Sequence, residues 1–471
     1  MNQQLTRRSL ARLLGAAAAS GFLPFSANAA WSPADHKKVN MIVRSQRPLD
    51  LEMPIDGFLT EWTPVERFFT RSHHYEPKVD LASWRLEVAG TVMRPQKLTF
   101  EAIQKLPKVD MPAVLECAGN GRGFYEPPMP GIQWEHGAVG NARWAGVRLA
   151  DVLKLAGVEE KTVEVIFDGA DVPIGTMPEF IRSIPIGKAM DPDTILAYEM
   201  NGEPLPTLHG FPLRLIVPGW AGDCWVKWLT RIEVSRSQYE GFFMKTAYRH
   251  PGKAVKPGSA VDSAAMNPVT RLSVKSLIAT PLDGAEVEVG KPLIVRGVAW
   301  TGDTRVNAVD LTFNGGITWA QPQPGPYANQ YAWRSWQYTY TPEEEGFLRI
   351  GVRATDGSGQ TQPFVPSWNP SGYLWNTVQM IGVNVVKEVK APGAPASAPS
   401  ASASKSGEAP AIYKTNCIGC HEDDVITQQR LTRGQWEKEV EKMGRWGSKF
   451  KPADKDAIVD YLAKEFPYKR R

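Results

Sequence analysis

The most informative segment of this 471-residue chain is Val114-Leu115-Glu116-Cys117-Ala118-Gly119-Asn120-Gly121-Arg122. An apolar, strand-like run ends on a cysteine and then opens into a glycine-rich turn that closes on an arginine. The thiol of Cys117 therefore faces a loop. From the residues alone, Cys117 is a metal ligand, a nucleophile or a small buried side chain.

The residues around this segment mix strand and helix patterns. Residues 84–90 and 162–167 are rich in β-formers, whereas residues 100–106 and Leu149–Ala156 have helical periodicity, the latter closed by Gly157. The chain also contains 38 Pro and 41 Gly, which disfavour long helices. We therefore predict an α+β fold.

Several separated blocks resemble the sulfite oxidase family of molybdenum enzymes. The resemblance runs over residues 50–386, and it is carried by 115–122, Trp134, 142–149, 197–202 and 209–214. It implies a catalytic domain over residues 30–266 with a molybdenum-pterin cofactor. In such a centre the soft thiolate of Cys117 is the protein ligand of molybdenum.

The same resemblance assigns the remaining site residues. Arg71, Arg122, Tyr198 and Trp134 match substrate-site positions, where guanidinium groups and a phenol suit an oxyanion. The pterin and its phosphate are expected to contact His73, His209, Arg214 and Lys227.

Two positions stand apart from the family pattern. Ser371 occupies a place before Gly372 where many relatives carry an arginine that reaches toward the substrate anion. Cys224 stands where the family needs no metal ligand, and it is interpreted as a packed thiol.

Residues 267–387 have a different pattern, with short β-like runs at 285–289, 293–298, 308–313 and 348–354. Hairpin signals, among them Asn314-Gly315-Gly316, separate these runs. The spacing predicts an immunoglobulin-like sandwich. The family resemblance implies that this domain mediates dimerisation, so we expect a homodimer.

A second cofactor motif lies near the carboxyl end. Cys417-Ile418-Gly419-Cys420-His421 offers two thiols to the vinyl groups of a haem and a histidine to its iron. Disulfides and zinc are the alternatives for these cysteines, and the spacing favours haem c over both. Residues 411–471 resemble a small all-α class I cytochrome c. Met443, the only methionine after His421, is the candidate sixth ligand.

Residues 388–410, rich in Ala, Pro and Ser, are predicted to be a flexible linker to this domain.

The amino terminus is predicted to be a targeting segment. Thr6-Arg7-Arg8-Ser9-Leu10 precedes a short apolar run and the small residues that end at Ala29, so residues 1–29 are interpreted as a twin-arginine signal peptide. We expect a periplasmic protein without a membrane span. Three arginines of this segment supply most of the formal net charge of +4, so no basic nucleic-acid surface is indicated.

These inferences predict a molybdenum-dependent sulfite dehydrogenase that passes electrons through a fused haem c to an external cytochrome c or similar acceptor. Three alternatives remain open. They are a sulfane dehydrogenase component of a thiosulfate-oxidising complex, a reductase of the same superfamily, and a non-enzymatic haem electron carrier.

Overall fold

A computed structural model describes residues 31–34, 36–389, 411–418 and 421–468. The predicted signal peptide, nearly all of the predicted linker, and Cys420 lie outside these residues. The described part of the chain from Pro33 onward belongs to one compact unit. Helices and strands are mixed in it, as the sequence predicts.

The first domain contains fourteen described strands and four described α-helices. The strands are β1 (Ile42–Gln46), β2 (Leu49–Glu52), β3 (Leu86–Gly90), β4 (Gln96–Leu98), β5 (Lys108–Glu116), β6 (Val139–Arg148), β7 (Glu164–Gly169), β8 (Arg182–Pro185), β9 (Ile195–Met200), β10 (Glu203–Pro204), β11 (Arg214–Ile216), β12 (Leu229–Ser235), β13 (Arg249–Pro251) and β14 (Met266–Pro268). The helices are α1 (Phe100–Gln104), α2 (Leu149–Ala156), α3 (Ile186–Ala189) and α4 (Phe242–Lys245).

Two five-stranded sheets organise this domain. One has the order β10-β9-β6-β5 with β11 also paired to β9, and the other has the order β4-β3-β12-β7-β8. Strand β5 pairs with β6 from Lys108 opposite Val147 to Glu116 opposite Val139. Cys117 is therefore the first residue beyond the end of an edge strand, a position from which its side chain can line a pocket.

Local sequence explains the better-defined helices. Helix α2 ends as predicted, because Gly157 adopts the left-handed conformation (φ 69°) and its amide donates to the carbonyls of Leu153 and Lys154. Helix α1 is shorter than predicted. It begins at the Thr99 cap, whose hydroxyl accepts from the amide of Ala102.

The second domain is a two-sheet sandwich. Its strands are β15 (Lys275–Thr280), β16 (Glu286–Glu288), β17 (Leu293–Trp300), β18 (Val306–Thr312), β19 (Gln323–Pro324), β20 (Arg334–Tyr340), β21 (Gly346–Asp356) and β22 (Gln379–Val386). Sheets β15-β17-β20-β19 and β16-β22-β21-β18 pack their inner faces together. Val295 and Trp336 from one sheet meet Ile350 and Val383 from the other in this core. The predicted sandwich is thus present.

The two domains share a buried apolar core. Val114, Ala118 and Val139 of the first domain pack with Leu277 and Trp300 of the second. The amide of Val114 also donates to the carbonyl of Tyr331 at 2.8 Å, so the open edge of β5 is covered by the second domain. The position of the Cys117 turn therefore depends on both domains.

The C-terminal region is a small helical domain. Its helices are α5 (Ala411–Cys417), α6 (Asp424–Thr427), α7 (Arg433–Arg445) and α8 (Lys455–Glu465). Trp436 and Val440 of α7 pack against Ile458, Val459 and Leu462, which form the apolar face of α8. Over the described ranges, no helix is long and apolar enough to cross a membrane.

Candidate active site

The turn after β5 holds Cys117 by backbone hydrogen bonds. The amide of Cys117 donates to Ala138 O, that of Asn120 to Cys117 O, and that of Arg122 to Gly119 O, each at 2.9 Å. Gly121 has a φ of 89°, and a Cβ there would lie 2.8 Å from the Trp375 ring. The turn therefore requires glycine for both its conformation and its packing.

A buried ion pair at Glu116, the residue before Cys117, supports this turn. Lys275 of β15 pairs with Glu116, and both side chains are nearly inaccessible to solvent. The same carboxylate accepts from Asn120 Nδ2 at 2.9 Å and from Trp300 Nε1 at 2.8 Å. A desolvated charge needs such a set of partners. The residue immediately before Cys117 is thus fixed to the second domain.

Cys117 faces a cavity of about 680 Å³, counted with its open mouth. Five of the residues singled out by sequence join Cys117 in its lining: Arg71, His73, His209, Arg214 and Lys227. Burial raises the pKa of the Cys117 thiol, and the positive charges of Arg71 and Arg122 oppose this rise. A cationic ligand of the sulfur would favour the thiolate further.

Arg71 is oriented by Asp50, a residue that sequence reasoning missed. Its Nη1 donates to the two carboxylate oxygens of Asp50 at 3.2 and 3.0 Å, and the Ser72 amide donates to the same carboxylate. Burial lowers the pKa of Arg71, but the Asp50 carboxylate more than offsets this and the pKa lies above its usual value. Arg71 is a permanent cation at the cavity.

Arg122 lies beneath the Cys117 turn. Its Nη1 donates to Ile132 O at 3.1 Å, its guanidinium lies 5.2 Å from the centre of the Tyr373 ring, and the residue is buried. Among the described residues, Nε of Arg122 has no acceptor. A buried guanidinium with unused donor capacity suits a bound oxyanion.

The phenol at the cavity is Tyr248, which the sequence prediction did not include. Its hydroxyl lies 2.8 Å from Nε2 of His73. Burial raises the pKa of Tyr248 well above its usual value and lowers the pKa of His73 well below its usual value. Both groups are therefore uncharged at neutral pH, and the Tyr248 hydroxyl keeps its proton.

Tyr198 is not brought to this cavity. It lies on β9, where its ring meets Phe100 of α1 edge-on at 5.9 Å and the ammonium of Lys108 at the same distance. The expected contact of Tyr198 with substrate stays a prediction. The strand directs this side chain toward α1, whereas Tyr248 is part of the cavity lining.

Trp134, the remaining predicted substrate-site residue, and Ser371, which departs from the family pattern, lie close to the residues around Arg122. Trp134 is fully buried and its carbonyl accepts from the Gly123 amide at 2.9 Å, although it is not part of the cavity lining. Ser371 precedes Gly372, where a Cβ would lie 2.9 Å from Cγ of Arg122. Ser371, which departs from the family pattern, is thus adjacent in sequence to Gly372, and Gly372 lies directly beside Arg122.

A cluster of four basic side chains lies at another part of the cavity, and all of them except Lys38 belong to its lining. Arg214 donates to His209 O at 2.9 Å and to Trp225 O at 3.2 Å, and Lys227 donates to Ser72 Oγ at 2.8 Å. Lys38, absent from the sequence prediction, lies with its Nζ 2.7 Å from His209 Nε2. We call Lys38, His209, Arg214 and Lys227 the basic cluster.

The basic cluster is poorly neutralised by protein groups. Burial lowers the pKa of Lys38 and of Lys227 to about 7, and that of Arg214 to about 9. Within the described ranges, Nε of Arg214 is buried without an acceptor. Buried cations are stabilised by paired anions. A phosphate-bearing cofactor such as molybdopterin fits this donor set, with Cys117 left for its metal.

Cys224 is a buried thiol outside this donor set. Its sulfur lies 3.7 Å from Nη2 of Arg182, and Arg182 pairs with Asp223 at 2.6 Å. Burial raises the pKa of Cys224 to about 12, so it is a neutral packed thiol, as expected.

The candidate haem ligands lie in the C-terminal domain. Cys417 ends α5, His421 follows residues 419–420, which lie outside the described ranges, and Met443 lies on α7. Ser448 joins these elements, because its amide donates to Met443 O at 3.0 Å and its hydroxyl donates to Asn416 O at 2.7 Å. The helix with Met443 is thus held against the helix that ends at Cys417.

This fold and donor set define a molybdopterin-dependent oxidoreductase. Residues 73–243 match the model of the oxidoreductase molybdopterin binding domain, and residues 266–385 match the Mo-co oxidoreductase dimerisation domain. The chain is 37% identical to the mitochondrial sulfite oxidase of Rattus norvegicus over 77% of its own length and 69% of that protein's. The chain therefore belongs to the sulfite oxidase family.

Two further relatives extend the range of known activities. A nitrate reductase of Hordeum vulgare is 34% identical over 73% of this chain and 42% of its own length. The crystal structure of the sulfane dehydrogenase SoxCD from Paracoccus pantotrophus superposes with a TM-score of 0.64 at 27% identity, covering 79% of this chain and 95% of that one. The fold is therefore shared by enzymes with different substrates.

Proposed function

We propose that the protein is a periplasmic sulfite dehydrogenase that oxidises sulfite to sulfate at a molybdenum-pterin centre. Its electrons then pass one at a time through a fused haem c to an external cytochrome c. The observation that carries this proposal is the position of Cys117 at a cavity lined by Arg71, with the positive charge of Arg122, which is not part of that lining, also acting on the thiol. A thiolate for molybdenum and two cations for an oxyanion meet there.

The chain's own residues would bind the substrate anion and keep it oriented. The guanidinium of Arg71 is fixed by Asp50 and that of Arg122 by Ile132 O, and both positive charges act on Cys117. Tyr248 adds a neutral hydroxyl donor. These preorganised charges orient sulfite without a reorganisation cost when it reacts.

The basic cluster would bind the cofactor. Lys38, Arg214 and Lys227 supply positive charge for its phosphate, and His209 and His73 supply imidazole groups that burial keeps neutral. When bound, molybdenum supplies the two-electron chemistry, in which sulfite and water give sulfate, two protons and two electrons.

The C-terminal domain, residues 411–471, would carry those electrons away. Haem c supplies a one-electron carrier, so the haem would be reduced twice for each sulfite and reoxidised in between by the external acceptor. Cys417 and Cys420 would hold the porphyrin covalently, with His421 and Met443 as axial ligands. The linker over residues 388–410 would tether this domain to residues 30–387.

Location and assembly follow from the other segments. The twin-arginine motif in residues 1–29 supports export of the folded, cofactor-loaded protein to the periplasm. The match of residues 266–385 to a dimerisation domain supports a homodimer formed through the second domain, residues 267–387.

A sulfane dehydrogenase is the second candidate, because the SoxCD fold covers 79% of this chain. The two activities differ in substrate access. Free sulfite would enter the arginine-lined cavity without a partner protein, whereas a sulfane substrate would arrive on a carrier.

The test is to purify the exported protein, measure molybdenum and haem per chain, and assay reduction of a soluble cytochrome c. We expect about one of each cofactor per chain and turnover with free sulfite alone. Protein loaded with both cofactors that turns over a carrier-bound sulfane but not sulfite would establish the second candidate. Protein exported without molybdenum would overturn both.

A further inference from the structure

The C-terminal domain rests on the first domain through specific side chains. One contact region is the β1–β2 hairpin, where the amide of Gln46 donates to Asp424 Oδ2 at 2.8 Å and Arg47 Nη2 donates to Ile418 O at 3.4 Å. Ile418 lies between the two cysteines of the haem-binding motif. That motif therefore faces the first domain.

A second contact region is the segment 129–133 of the first domain, where two adjacent glutamines supply the contacts. Gln429 Oε1 accepts from the Gly131 amide at 3.0 Å, and Gln428 Oε1 accepts from the Gln133 amide at 2.9 Å. Gln428 also donates to Arg44 O in β1 at 2.6 Å. The two amides that the C-terminal domain binds flank Ile132.

The residue between those amides supports a substrate-site arginine. Ile132 O accepts from Arg122 Nη1 at 3.1 Å, and a Cβ on Gly131 would lie 3.0 Å from the same nitrogen. The backbone of segment 129–133 is thus bonded to the C-terminal domain on one side and to the Arg122 guanidinium on the other. Arg122 keeps its position only while this segment keeps its conformation.

We propose that Gln428 and Gln429 are positioning residues for Arg122, so that the oxyanion pocket is complete only when the C-terminal domain is docked. This inference rests on the proposed function for the identity of the anion. It links two events of one reaction cycle. The state that binds substrate is the state in which the electron acceptor is in place.

Such coupling is reciprocal by thermodynamic necessity. If docking strengthens anion binding to the pocket, a bound anion strengthens docking by the same factor. Sulfate is a suitable probe, because it is the product of the proposed reaction and is not oxidised further. It should therefore slow hydrogen exchange of the Gly131 and Gln133 amides in the oxidised full-length protein.

The experiment compares hydrogen exchange in wild type, Gln429→Ala and Gln428→Ala, all with cofactors. In each variant we expect exchange to rise about tenfold in segment 129–133 and also in segment 119–125, which contains Arg122. Sulfate affinity should fall about tenfold in parallel. Two variants are used so that misfolding of one, visible in its haem spectrum, leaves the other.

Thr176→Val is the matched control. Thr176 Oγ1 donates to Arg445 O at 3.2 Å in a separate part of the same interface. Its removal should leave exchange in segment 119–125 at the wild-type rate.

Faster exchange in segment 129–133 with no change in segment 119–125 would overturn the proposal. An equal change in the Thr176→Val control would overturn the positioning role assigned to Gln428 and Gln429, because the effect would then belong to docking in general. Failure of the proposed function gives a different result. The wild type would reduce no haem with sulfite, and exchange in segment 119–125 of the variants would still decide the role of the glutamines.

Discussion

Tyr248 and His73 are 175 positions apart in the chain, and their side chains are joined by a 2.8 Å hydrogen bond at the cavity wall. His73 also stacks on Phe180 with ring centres 4.3 Å apart. The phenol is therefore held in one orientation, beside the charges of Arg71 and Cys117 that act on it. We therefore expect Tyr248 to be the hydroxyl donor of the site.

Replacing Tyr248 by Phe should lower kcat/KM for sulfite by about 10- to 100-fold, because a hydrogen bond to a charged group contributes about 1.5–3 kcal/mol. Tyr198→Phe is the control, and it should retain activity within about twofold, as expected for a residue outside the site. Steady-state kinetics with a soluble cytochrome c measures both. A larger loss in Tyr198→Phe than in Tyr248→Phe would contradict the assignment.

Breaking the Glu116–Lys275 pair should destabilise the protein. Lys275→Met leaves a buried carboxylate without its cation, which costs about 3–5 kcal/mol in the free energy of unfolding. The double variant Glu116→Gln with Lys275→Met removes both charges and should recover part of this loss. Denaturant midpoints and molybdenum content provide the measurement.

Lys245→Met is the control for that series, because Lys245 pairs with Glu240 at an exposed site. Its midpoint should match the wild type. A Lys275→Met midpoint equal to that of this control would show that the interdomain ion pair does not support the turn.

The buried lysines predict a pH dependence in cofactor-free protein. The folded-state pKa of Lys227 is lowered to about 7, so between about pH 7 and the unfolded value near 10.4 the unfolded chain binds more protons. The free energy of unfolding should therefore rise with pH across that window through this group.

Lys227→Met removes the titrating group, so its stability should rise less steeply from pH 7 to 10 than that of wild type. Chemical denaturation of both proteins at matched ionic strength gives the two slopes. A variant slope equal to or steeper than the wild-type slope would show that Lys227 stays protonated in the folded protein.

The sequence predicted those parts of the site whose geometry is set by residues close together in the chain. The turn from Glu116 to Arg122 contains Cys117, its glycines and its arginine within seven positions, so its geometry is largely a property of the segment itself. The cap of helix α2 at Gly157 is local in the same way.

The parts that were missed depend on contacts between distant segments. Lys38 reaches His209 from 171 positions away, and Tyr248 reaches His73 from 175. Neither residue lies in a motif with recognisable spacing. The expectation for Tyr198 rested on residues 197–202, which match a family block, whereas the direction of a strand side chain is fixed only by the packed sheet.

The docked position of the C-terminal domain could not be predicted either. The composition of the linker predicts only that the linker is flexible. Gln428 and Gln429 are polar residues in a segment without a recognisable motif. Their role depends on backbone amides of segment 129–133, which sequence patterns do not identify.

The central claim is that electrons pass from sulfite through a Cys117-held molybdenum to the haem of the same chain. The most direct measurement mixes oxidised, molybdenum-assayed protein with sulfite in the absence of oxygen and follows the haem absorption band. We predict reduction on the timescale of turnover in wild type and its loss in Cys117→Ser. No reduction in wild-type protein that contains molybdenum and haem, or full reduction in Cys117→Ser, would contradict the account.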